Sequence, residues 1–501
     1  METIKAIKAI KIHPAIGIAR VGNCPTEFFV GPEIPGVREM PPGGYKDKSY
    51  RVKRQAARFR LFGYDQHGKL VKEIDASDAS IHWTVQLANK KAAWHRFEGL
   101  NQHTGLRNAS VHDRASLGID PGPRSLTGKR RVALFDTGSF LGVTVPLGEM
   151  RTDERGRLLV LGGFGHSASP GNRPITTFAN NDGWHDDVSD GPVTATVQLH
   201  GTNVTIDAKS AWVIVGPPKF APAIDSISTL YDVLRQVAVD KLGLPVPPRP
   251  SFTHDIYPLL ARVTQMKWVS RLSGSAHATL AAVLPPPGPD AVRKAIFQRL
   301  RNPADGSGGD MPMIWSDHYG MQSDDRAAPR ARAAMDEAEN QPITKLQYRM
   351  MEQWKNGDFD NDWNGPPVAA TEVTPSGLDR AALEACVGGA FYPGIEAGWL
   401  MRDVYHFDEP FRLSHAQRAA GDVTKQMSVP WQSDFNDCQF EDPLVWWPAQ
   451  RPDDVFLAHG TEPVAWTREL INSPEDMIAK WHRLGFVVKR GQRYVETRRK
   501  G

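Results

Sequence analysis

The stretch RVKRQAARFRLFGY, residues 51–64, indicates the class of fold because apolar and charged residues alternate along its second half. An alternation with a period of two is typical of a β-strand that turns one face to a core. Similar short runs follow between Gly, Pro and Asp turns, at Ile81–Leu87, Arg131–Phe135, Val193–Leu199 and Ala211–Val215. Residues 1–245 are therefore predicted to form a β-rich N-terminal domain, whose strands are joined by long irregular loops such as Gly162–Pro192.

The apolar spacing changes from that of strands to that of helices beyond the connector Pro245–Pro250. Helices are predicted over Ile256–Met266, Val292–Leu300, Leu346–Trp354 and Leu378–Ala385, and after the capping residue Ser473. Ser376 is the predicted start of the fourth helix, and a hairpin with its turn at Lys489–Gln492 is predicted after the last one. Together the two halves predict an α+β protein with a mixed, helix-richer C-terminal domain over residues 251–501.

The length and charge of the chain exclude several classes of protein. Its 501 residues are too many for one ordinary core, and its 40% apolar and 23% charged residues are usual for a soluble globular protein. The net charge of +3 comes from 60 basic and 57 acidic residues without a basic stripe, which argues against a nucleic acid partner. The N-terminal METIKAIKAIKIHPAIG lacks the apolar core of a signal peptide, and no stretch approaches the roughly 18 apolar residues of a membrane span. We therefore expect a protein made in the cytosol, without a membrane partner, for which non-classical export stays open.

Common catalytic and metal-binding motifs are absent or broken in the sequence. No GxSxG occurs, the glycines of Gly162–Gly165 do not complete GxGxxG, and the calcium loop that begins at Asp358 lacks its central Gly and its final Glu. The acidic residues of His185–Asp190 could bind a metal, but such residues more often hold a loop by accepting hydrogen bonds from backbone N–H groups. The three cysteines form no CxxC pair, which excludes a disulfide framework and a cysteine zinc site. No metal is predicted.

What remains is Cys386, which lies close to a glycine turn, and a cluster of tryptophans further along the chain. Redox chemistry on an amine needs an electrophilic carbonyl, and none of the twenty side chains offers one. An indole oxidised to an ortho-quinone has two adjacent carbonyls, and a thioether to a cysteine fixes the ring. This chemistry needs one Cys and one Trp brought together in a dry pocket, and their spacing alone does not identify the pair.

Long segments resemble those of a known family and occur in the same order along nearly the whole chain. They include IHPAIGIARVGN (residues 12–23), YKDKSYRVKRQAARFRLFGYD (45–65), FANNDGWHDDVSDGPV (178–193), AWVIVGPPKFAP (211–222), LEACVGGAFYPGIEAGW (383–399) and WWPAQRPD (446–453). On these segments the chain resembles the bacterial L-lysine 6-oxidase and glycine oxidase family, whose members carry a cysteine tryptophylquinone. The resemblance implies an oxidoreductase that deaminates a primary amine or amino acid, reduces O2 to H2O2 and releases ammonia.

The resemblance also implies which residues form the quinone. The cofactor cysteine of the family falls on Cys386, and the tryptophan that directly precedes Pro-Ala falls on Trp447. Trp446 is the neighbouring alternative, and Trp431 is a weaker one that is better explained as a wall of the pocket. Members of the family need a flavoprotein to complete the quinone, so a flavoprotein is the expected maturation partner, and a homo-oligomer stays open.

One position departs from the pattern of the family. The characterised members have an Asp one helical turn before the cofactor cysteine, where it assists oxidation of the tryptophan, and this chain has Ala382 there. Asp379 and Glu384 are the carboxylates that could substitute, and Asp379 is taken as the catalytic candidate. Asp379 lies almost a turn further from the cysteine, and Glu384 points to another face of the helix.

Histidines and arginines supply the remaining candidates. The reaction needs a base, and His318 in MIWSDHYG and His415 in FRLSH occur in the pocket-forming regions of the family. Arg402 or Arg412 could hold the carboxylate of an amino acid, and the sequence does not choose between them. Because the chain is shorter than the characterised oxidases, specificity for lysine or glycine is not carried over.

Two other interpretations of the chain stay open. It could be a family member that never forms its quinone and serves as a binding or scaffold protein. It could also keep the quinone but pass its electrons to a protein acceptor, which would make it an amine dehydrogenase. The mass of the mature protein tests the first alternative, and release of H2O2 tests the second.

Overall fold

The computed structural model describes residues 6–38, 40–96, 105–271, 280–286, 288–309, 343–388, 400–437 and 448–500. Strands β1 to β23 span, in order, Ala9–His13, Ile16–Arg20, Phe28–Val30, Arg54–Tyr64, Leu70–Ile74, Ala79–Val85, Arg124–Thr127, Val132–Leu134, Ser139–Phe140, Val143–Thr144, Glu149–Thr152, Leu158–Leu161, Ser167–Ala168, His185–Asp186, Ser189–Leu199, Thr205–Asp207, Ala211–Gly216, Phe407–Glu409, Arg412–Leu413, Asp454–Phe456, Pro463–Ala465, Phe486–Arg490 and Arg493–Thr497. Helices α1 to α7 span Leu230–Lys241, Tyr257–Gln265, Asp290–Gln298, Lys345–Asn356, Pro375–Glu384, Trp431–Asp437 and Pro474–Lys480. Within these ranges, no helix has both the length and the apolar composition needed to cross a bilayer.

A sheet of thirteen strands forms the body of the fold. Its main path runs β7-β6-β15-β17-β2-β4-β12-β11-β8, while β1, β3 and β5 pair with β4, and β16 pairs with β15. Most neighbouring strands are antiparallel, but β17 and β2 are parallel, as are β3 and β4. The five strands expected from alternation are present as β4, β6, β8, β15 and β17. The predicted α+β class with a β-rich N-terminal part is therefore confirmed.

Alternation along β4 predicts one buried and one exposed face. In the structure, however, nearly all residues of β4 are buried. Its arginines are neutralised by carboxylates: Arg54 donates to Glu149 at 2.7 Å, and Arg58 and Arg60 both pair with Glu33. Guanidinium groups can be buried when carboxylates accept their hydrogens. Arg54 and Arg60 are therefore buried although charged residues suggested a solvent face, and Arg58 is half-buried.

The main hydrophobic core takes residues from both halves of the chain. Phe220, which follows β17, packs against Trp466 and Phe486 with ring centroids 4.7 and 4.9 Å apart. Tyr45 stacks on the same Phe486 ring at 5.1 Å. The C-terminal hairpin β22–β23 thus shares a core with the N-terminal sheet, and the division into residues 1–245 and 251–501 stays a prediction.

The helices largely follow their predicted positions. Helices α2, α3 and α4 lie at three of the predicted segments and surround a separate hydrophobic cluster that includes Trp354. Helix α4 ends at Gly357, whose φ of 80° is in the left-handed region favoured by glycine. Helix α7 begins after the cap Ser473 as predicted, and the hairpin β22–β23 has its turn at the expected residues.

Helix α5 begins at Pro375, three residues before the predicted Leu378. Thr374 is its cap, not Ser376, and the Thr374 side chain accepts a hydrogen bond from the backbone N–H of Gly377. Proline has no N–H to satisfy and is favoured at the first helical position, so Pro375 can begin the helix directly after Thr374. The helix continues to Glu384, and Cys386 follows it.

Helix α1 supports the segment that carries Cys386, and it was not predicted although its capping box, Thr229 with Asp232, is visible in the sequence. The N–H of Leu230 donates to the carbonyl of Cys386 at 3.1 Å. A Cβ added to Gly388 would lie 1.9 Å from the carbonyl oxygen of Thr229, so only glycine fits there. The close neighbour of Gly388 is thus the backbone at the start of α1.

Candidate active site around Cys386

Cys386 lies just past the C-terminal end of helix α5, with 1% of its surface exposed. Its Sγ–H donates to the carbonyl of Ala382 at 3.5 Å, and its N–H donates to the carbonyl of Leu383 at 3.1 Å. Ala382 therefore lies one helical turn before the cysteine, as predicted for an alignment without a gap in this helix. A methyl group occupies the position at which the resemblance implies a carboxylate.

Arg20, the last residue of strand β2, places a buried guanidinium against Cys386. Its Nη2 lies 3.7 Å from the Cys386 Sγ and 3.3 Å from the carbonyl oxygen of Ala385. Its Nη1 donates to the carbonyl of Pro217 at 2.8 Å and to the Gln450 Oε1 at 3.3 Å. One guanidinium thus joins three segments: the end of α5, the loop after β17, and the segment that begins at Pro448.

Gln450 is fixed to the loop after β17 by both its side chain and its backbone. Its Nε2 donates to the carbonyl of Pro218 at 2.7 Å, and its own carbonyl accepts from the N–H of Phe220 at 2.9 Å. Trp446, Trp447 and Cys438 lie outside the described residues. The described chain resumes at Pro448, which directly follows Trp447 in the sequence.

A cleft of about 650 Å³ opens beside this junction. Ala385, the neighbour of Cys386 in the chain, lies on its lining together with the cations Arg20, Arg38 and Lys219. The remaining walls are mainly apolar and include Phe28, Phe29, Val30, Ile34, Val37 and Phe486. The cleft therefore combines a mainly apolar body, which also carries Glu27, Glu33 and Lys53, with three cations next to the cysteine segment.

The carboxylate of Asp225 accepts hydrogen bonds from two of these cations. Arg38 donates to both of its oxygens, at 3.1 and 3.0 Å, and the Lys219 Nζ donates to Oδ1 at 3.2 Å. Burial raises the pKa of Asp225, but the charges of Arg38 and Lys219 outweigh burial and hold the pKa at about 2. Burial lowers the pKa of Lys219, and Asp225 offsets only part of this effect. Within the described part of the chain, Arg38 and Lys219 therefore share the carboxylate of Asp225.

The two candidate helper carboxylates of helix α5 both have partners other than Cys386. Asp379 accepts from the backbone N–H of Ala15 at 2.5 Å and lies 3.0 Å from the Nδ1 of His13, which holds α5 against the turn between β1 and β2. Glu384 pairs with Arg380 along the helix. The structure does not bring the Asp379 carboxylate to Cys386, and its predicted role in catalysis stays a prediction.

The other predicted residues are spread around the site. The Nε2 of His415 lies 3.0 Å from the carbonyl oxygen of Ala211, and burial lowers the pKa of this histidine. Arg412 is buried and donates to Glu409 at 2.6 Å, to the carbonyl of Ile12 at 3.1 Å and to the carbonyl of Ser210. Arg402 lines a separate cavity of about 300 Å³ beside α1. His318 lies outside the described residues.

The acidic segment His185–Asp190 holds loops, which confirms the favoured interpretation of that motif. Asp186 is fully buried, pairs with Lys91 at 2.8 Å and accepts from the backbone N–H of Trp431 at 3.0 Å. Asp190 accepts from the indole N–H of Trp212 at 2.9 Å and from the backbone of residues 423 and 424. The ring of Trp431 packs against Phe435 and Trp481 in the main core, and its role as a wall of the pocket stays a prediction.

Sequence reasoning missed Arg20, Arg38, Lys219 and Gln450. Arg20, Lys219 and Gln450 lie within the segments IHPAIGIARVGN, AWVIVGPPKFAP and WWPAQRPD, so a signal was present. No motif distinguishes them, because each is a single polar residue. The partners of Arg20, Arg38 and Gln450 also lie far along the chain, such as Cys386 for Arg20. Only the folded chain brings them together.

Comparison with known proteins agrees with this architecture. Residues 13–215 match the domain family "L-Lysine epsilon oxidase N-terminal", and residues 322–458 match the "L-lysine epsilon oxidase C-terminal domain". L-lysine 6-oxidase from Marinomonas mediterranea is 29% identical over 86% of this chain and 71% of its own length.

Solved structures of the L-Lys ε-oxidase from Marinomonas mediterranea have the same fold. One superposes with a TM-score of 0.77 at 25% identity, and its Schiff base intermediate with L-Lys superposes with a TM-score of 0.78 at 24% identity. Both alignments cover 98% of this chain and 95% of the other. The chain therefore belongs to the L-lysine ε-oxidase family and is an amino-acid oxidase.

Proposed function

We propose that the protein oxidatively deaminates an amino acid through a cysteine tryptophylquinone formed from Cys386 and Trp447, with reduction of O2 to H2O2 and release of ammonia. The quinone supplies the electrophilic carbonyl that no unmodified side chain offers. A flavoprotein that completes the quinone is part of the proposal, and Trp446 is the alternative partner of the thiol.

The bridge made by Arg20 is the observation that carries the proposal. Its guanidinium contacts the Sγ of Cys386 on one side and the side chain of Gln450 on the other. Trp447 precedes Gln450 by three residues, so their Cα atoms are separated by at most about 11 Å. The tie between Cys386 and Gln450 supports the proposal that Trp447 is the partner of the thiol.

The surroundings of Cys386 fit a reactive carbonyl that must be kept from bulk water. The thiol is buried among the apolar residues of helices α1 and α5, which include Leu230 and Leu383. Exclusion of water protects a reactive intermediate and strengthens the interactions that orient the substrate. The adjacent cleft leaves room for a substrate next to Ala385.

The remaining candidates keep more limited roles in the proposal. Neither Arg402 nor Arg412 lines this cleft within the described part of the chain, and Arg412 already donates to three protein groups. His415 and His318 are proposed as bases, and Asp379 or Glu384 as the carboxylate that assists maturation in place of a residue at Ala382. Asp379 would also act by holding helix α5 against His13.

The function is tested by co-expressing the chain with a cognate flavoprotein and supplying amino acids with O2 as the only electron acceptor. We expect ammonia and H2O2 to form in equal amounts, and we expect Cys386→Ser to abolish both. Ammonia without H2O2, formed only when a protein acceptor is added, would show a dehydrogenase. A complete absence of turnover together with an unmodified mass would favour the scaffold interpretation.

A further inference from the structure

We propose that a cavity between helices α1 and α4 binds a phosphate-like oxyanion, and that the bound anion stabilises the segment that carries Cys386. The cavity has a volume of about 300 Å³, which lies at the lower end of the usual range for small-molecule sites. It is the cavity lined by Arg402, and it shares no lining residue with the cleft beside Ala385. The inference goes beyond the proposed oxidation and does not depend on the quinone.

The lining of this cavity combines apolar and polar side chains from three parts of the chain. Its apolar residues are Val233, Val237 and Ile343. Its polar residues come from α1 and the residue before its cap, from the start of α4 and from the segment after residue 400: Ser228, Gln236, Asp240, Lys241, Thr344, Lys345 and Arg402. Such a lining suits a small ligand with one strongly polar group.

The charges of the lining favour an anion. Lys241, Lys345 and Arg402 are cations, and Asp240 is the carboxylate among the described lining residues. Neither lysine forms an ion pair within the described chain, whereas Asp240 accepts a hydrogen bond from the amide of Gln236 at 2.7 Å. Helix α1 ends and helix α4 begins at this cavity, and their ends carry about half a charge each of opposite sign. The two helix ends nearly cancel, so the side chains decide the sign of the potential.

Ser228 adds a buried hydroxyl group to the lining. The residue is 5% exposed, and its hydroxyl has no hydrogen-bond partner among the residues that the structure describes. A buried hydroxyl without a partner costs free energy, because its hydrogen bonds to water are lost and not replaced. An oxyanion in the cavity would accept the hydrogen of this hydroxyl and remove that cost.

The first turn of α4 adds a backbone donor. The N–H of Leu346 donates to the Gln236 side chain at 2.6 Å, and the N–H of Gln347 donates to the side chain of the cap Thr344 at 3.2 Å. The N–H of Lys345, which begins the helix, has no such partner within the described ranges. The turn also contains no acidic residue that would repel an anion. Groups of this kind at the start of a helix commonly donate to phosphate.

The magnitude of the charge favours phosphate over a carboxylate. Three cations and one carboxylate leave the lining with two positive charges. A phosphate monoester carries about −1.5 to −2 at pH 7 and would neutralise nearly all of this charge, whereas a single carboxylate would leave half of it. Inorganic phosphate and a small phosphate monoester share this chemistry, and the apolar residues leave room for the organic group of an ester.

The cavity is joined to the segment of Cys386 through Ser228. The carbonyl of Ser228 accepts a hydrogen bond from the N–H of Gly388 at 3.0 Å. Val233, on the cavity lining, belongs to the same hydrophobic cluster as Cys386. A ligand that binds the ordered arrangement of these residues stabilises it by mass action. An anion held by Ser228 should therefore reduce opening of the segment at Gly388.

A titration of the full-length chain, produced without a flavoprotein, tests the site. Inorganic phosphate, methyl phosphate and acetate are titrated separately by calorimetry in a buffer without other oxyanions. We expect saturable binding of phosphate at one site and much weaker binding of acetate. Tighter binding of methyl phosphate than of inorganic phosphate would support the site and identify a monoester as its ligand, and equal binding would support the free ion. Absence of saturable phosphate binding, or equal affinity for acetate and phosphate, would overturn the proposal.

Variants test which residues form the site. Lys241→Met combined with Lys345→Met should weaken phosphate binding on the order of 10- to 100-fold, because two charged donors are lost. Asp240→Asn should bind phosphate several-fold more tightly, a gain that loss of structure would not produce. Lys69→Met, which removes an exposed lysine elsewhere, is the matched control and should bind as the wild type does. Wild-type affinity in the double variant would contradict the site.

Hydrogen exchange tests the connection to Cys386. Saturating phosphate should slow exchange of the Gly388 amide several-fold, while the amides of the hairpin β22–β23 serve as the reference and should not change. Ser228→Ala should weaken phosphate binding several-fold, since the anion loses a donor. An unchanged rate at Gly388 with phosphate bound would overturn the proposed stabilisation of this segment.

Discussion

The Nη2 of Arg20 lies 3.7 Å from the Sγ of Cys386, although the two residues are 366 positions apart in the chain. The same guanidinium donates to the Gln450 side chain, so it spans the two segments that would be covalently joined. An arginine is suited to this position because its planar fork can donate in several fixed directions at once.

Replacement of this arginine should impair formation of the cross-link. Arg20→Lys keeps the charge, but an ammonium on a flexible stem reaches only one side of the bridge. We expect the cross-linked fraction, measured by intact mass after co-expression with the flavoprotein, to fall several-fold. Arg54→Lys is the control, because Arg54 is an equally buried arginine of the sheet whose carboxylate partner is Glu149. Equal losses in both variants would show that general destabilisation, not the bridge, limits the cross-link.

Asp379 should contribute measurably to stability. Its substitution by Ala leaves the N–H of Ala15 and the ring of His13 without their acceptor, so the free energy of unfolding should fall by about 1–3 kcal/mol. Denaturant unfolding of the full chain measures this change. Asp408→Ala removes an exposed carboxylate of β18 and should leave the stability within about 0.5 kcal/mol of the wild type. A wild-type denaturation midpoint for Asp379→Ala would contradict the anchoring role of this residue.

Asp187 should make the protein less stable as the pH rises. The residue is 1% exposed, and burial together with Asp186 raises its pKa from 3.8 to about 7. The folded protein binds the proton of the Asp187 carboxyl more tightly than the unfolded chain does. The contribution of this proton to the free energy of unfolding is complete below the pKa of the unfolded chain, and it is lost as the pH rises through the pKa of the folded protein. The loss amounts to about 1.4 kcal/mol for each unit of pKa difference.

Asp187→Asn cannot lose this proton, so the variant should gain stability relative to the wild type between about pH 4 and pH 7. Thermal unfolding of both proteins across that range measures the difference. Asp186→Asn, at the neighbouring carboxylate, is the contrast. It breaks the ion pair with Lys91 and should therefore destabilise the fold at every pH in the range. A constant difference between Asp187→Asn and the wild type would contradict the raised pKa.

Gly388 should not tolerate a side chain. A Cβ there would lie 1.9 Å from the carbonyl oxygen of Thr229, so Gly388→Ala must displace the segment of Cys386 or the start of helix α1. We expect a loss of stability of about 1–3 kcal/mol and a lower yield of cross-link. Gly171→Ala, where a Cβ meets no atom within 4 Å, should leave both quantities unchanged. Wild-type stability and yield for Gly388→Ala would contradict the packing of these two elements.

Periodicity predicted the strands and most helices, because burial of one face imposes a repeat that is visible locally. It failed at β4, where Glu33 and Glu149 neutralise arginines that resemble a solvent face. Helix α1 was overlooked although Thr229 and Asp232 carry its signal. The cysteine of the candidate site was predicted from resemblance. The cationic neighbours of this cysteine were not predicted. Contacts such as that between Arg20 and Cys386 depend on where the folded sheet places strand β2 relative to helix α5.

The central claim is the covalent link between Cys386 and Trp447, and a peptide map of the protein co-expressed with its flavoprotein tests it most directly. The account predicts one cross-linked species that joins the two peptides and carries two additional oxygen atoms, with a quinone absorption band. Separate, unmodified peptides containing Cys386 and Trp447, or a cross-link that ends at Trp446, would contradict it.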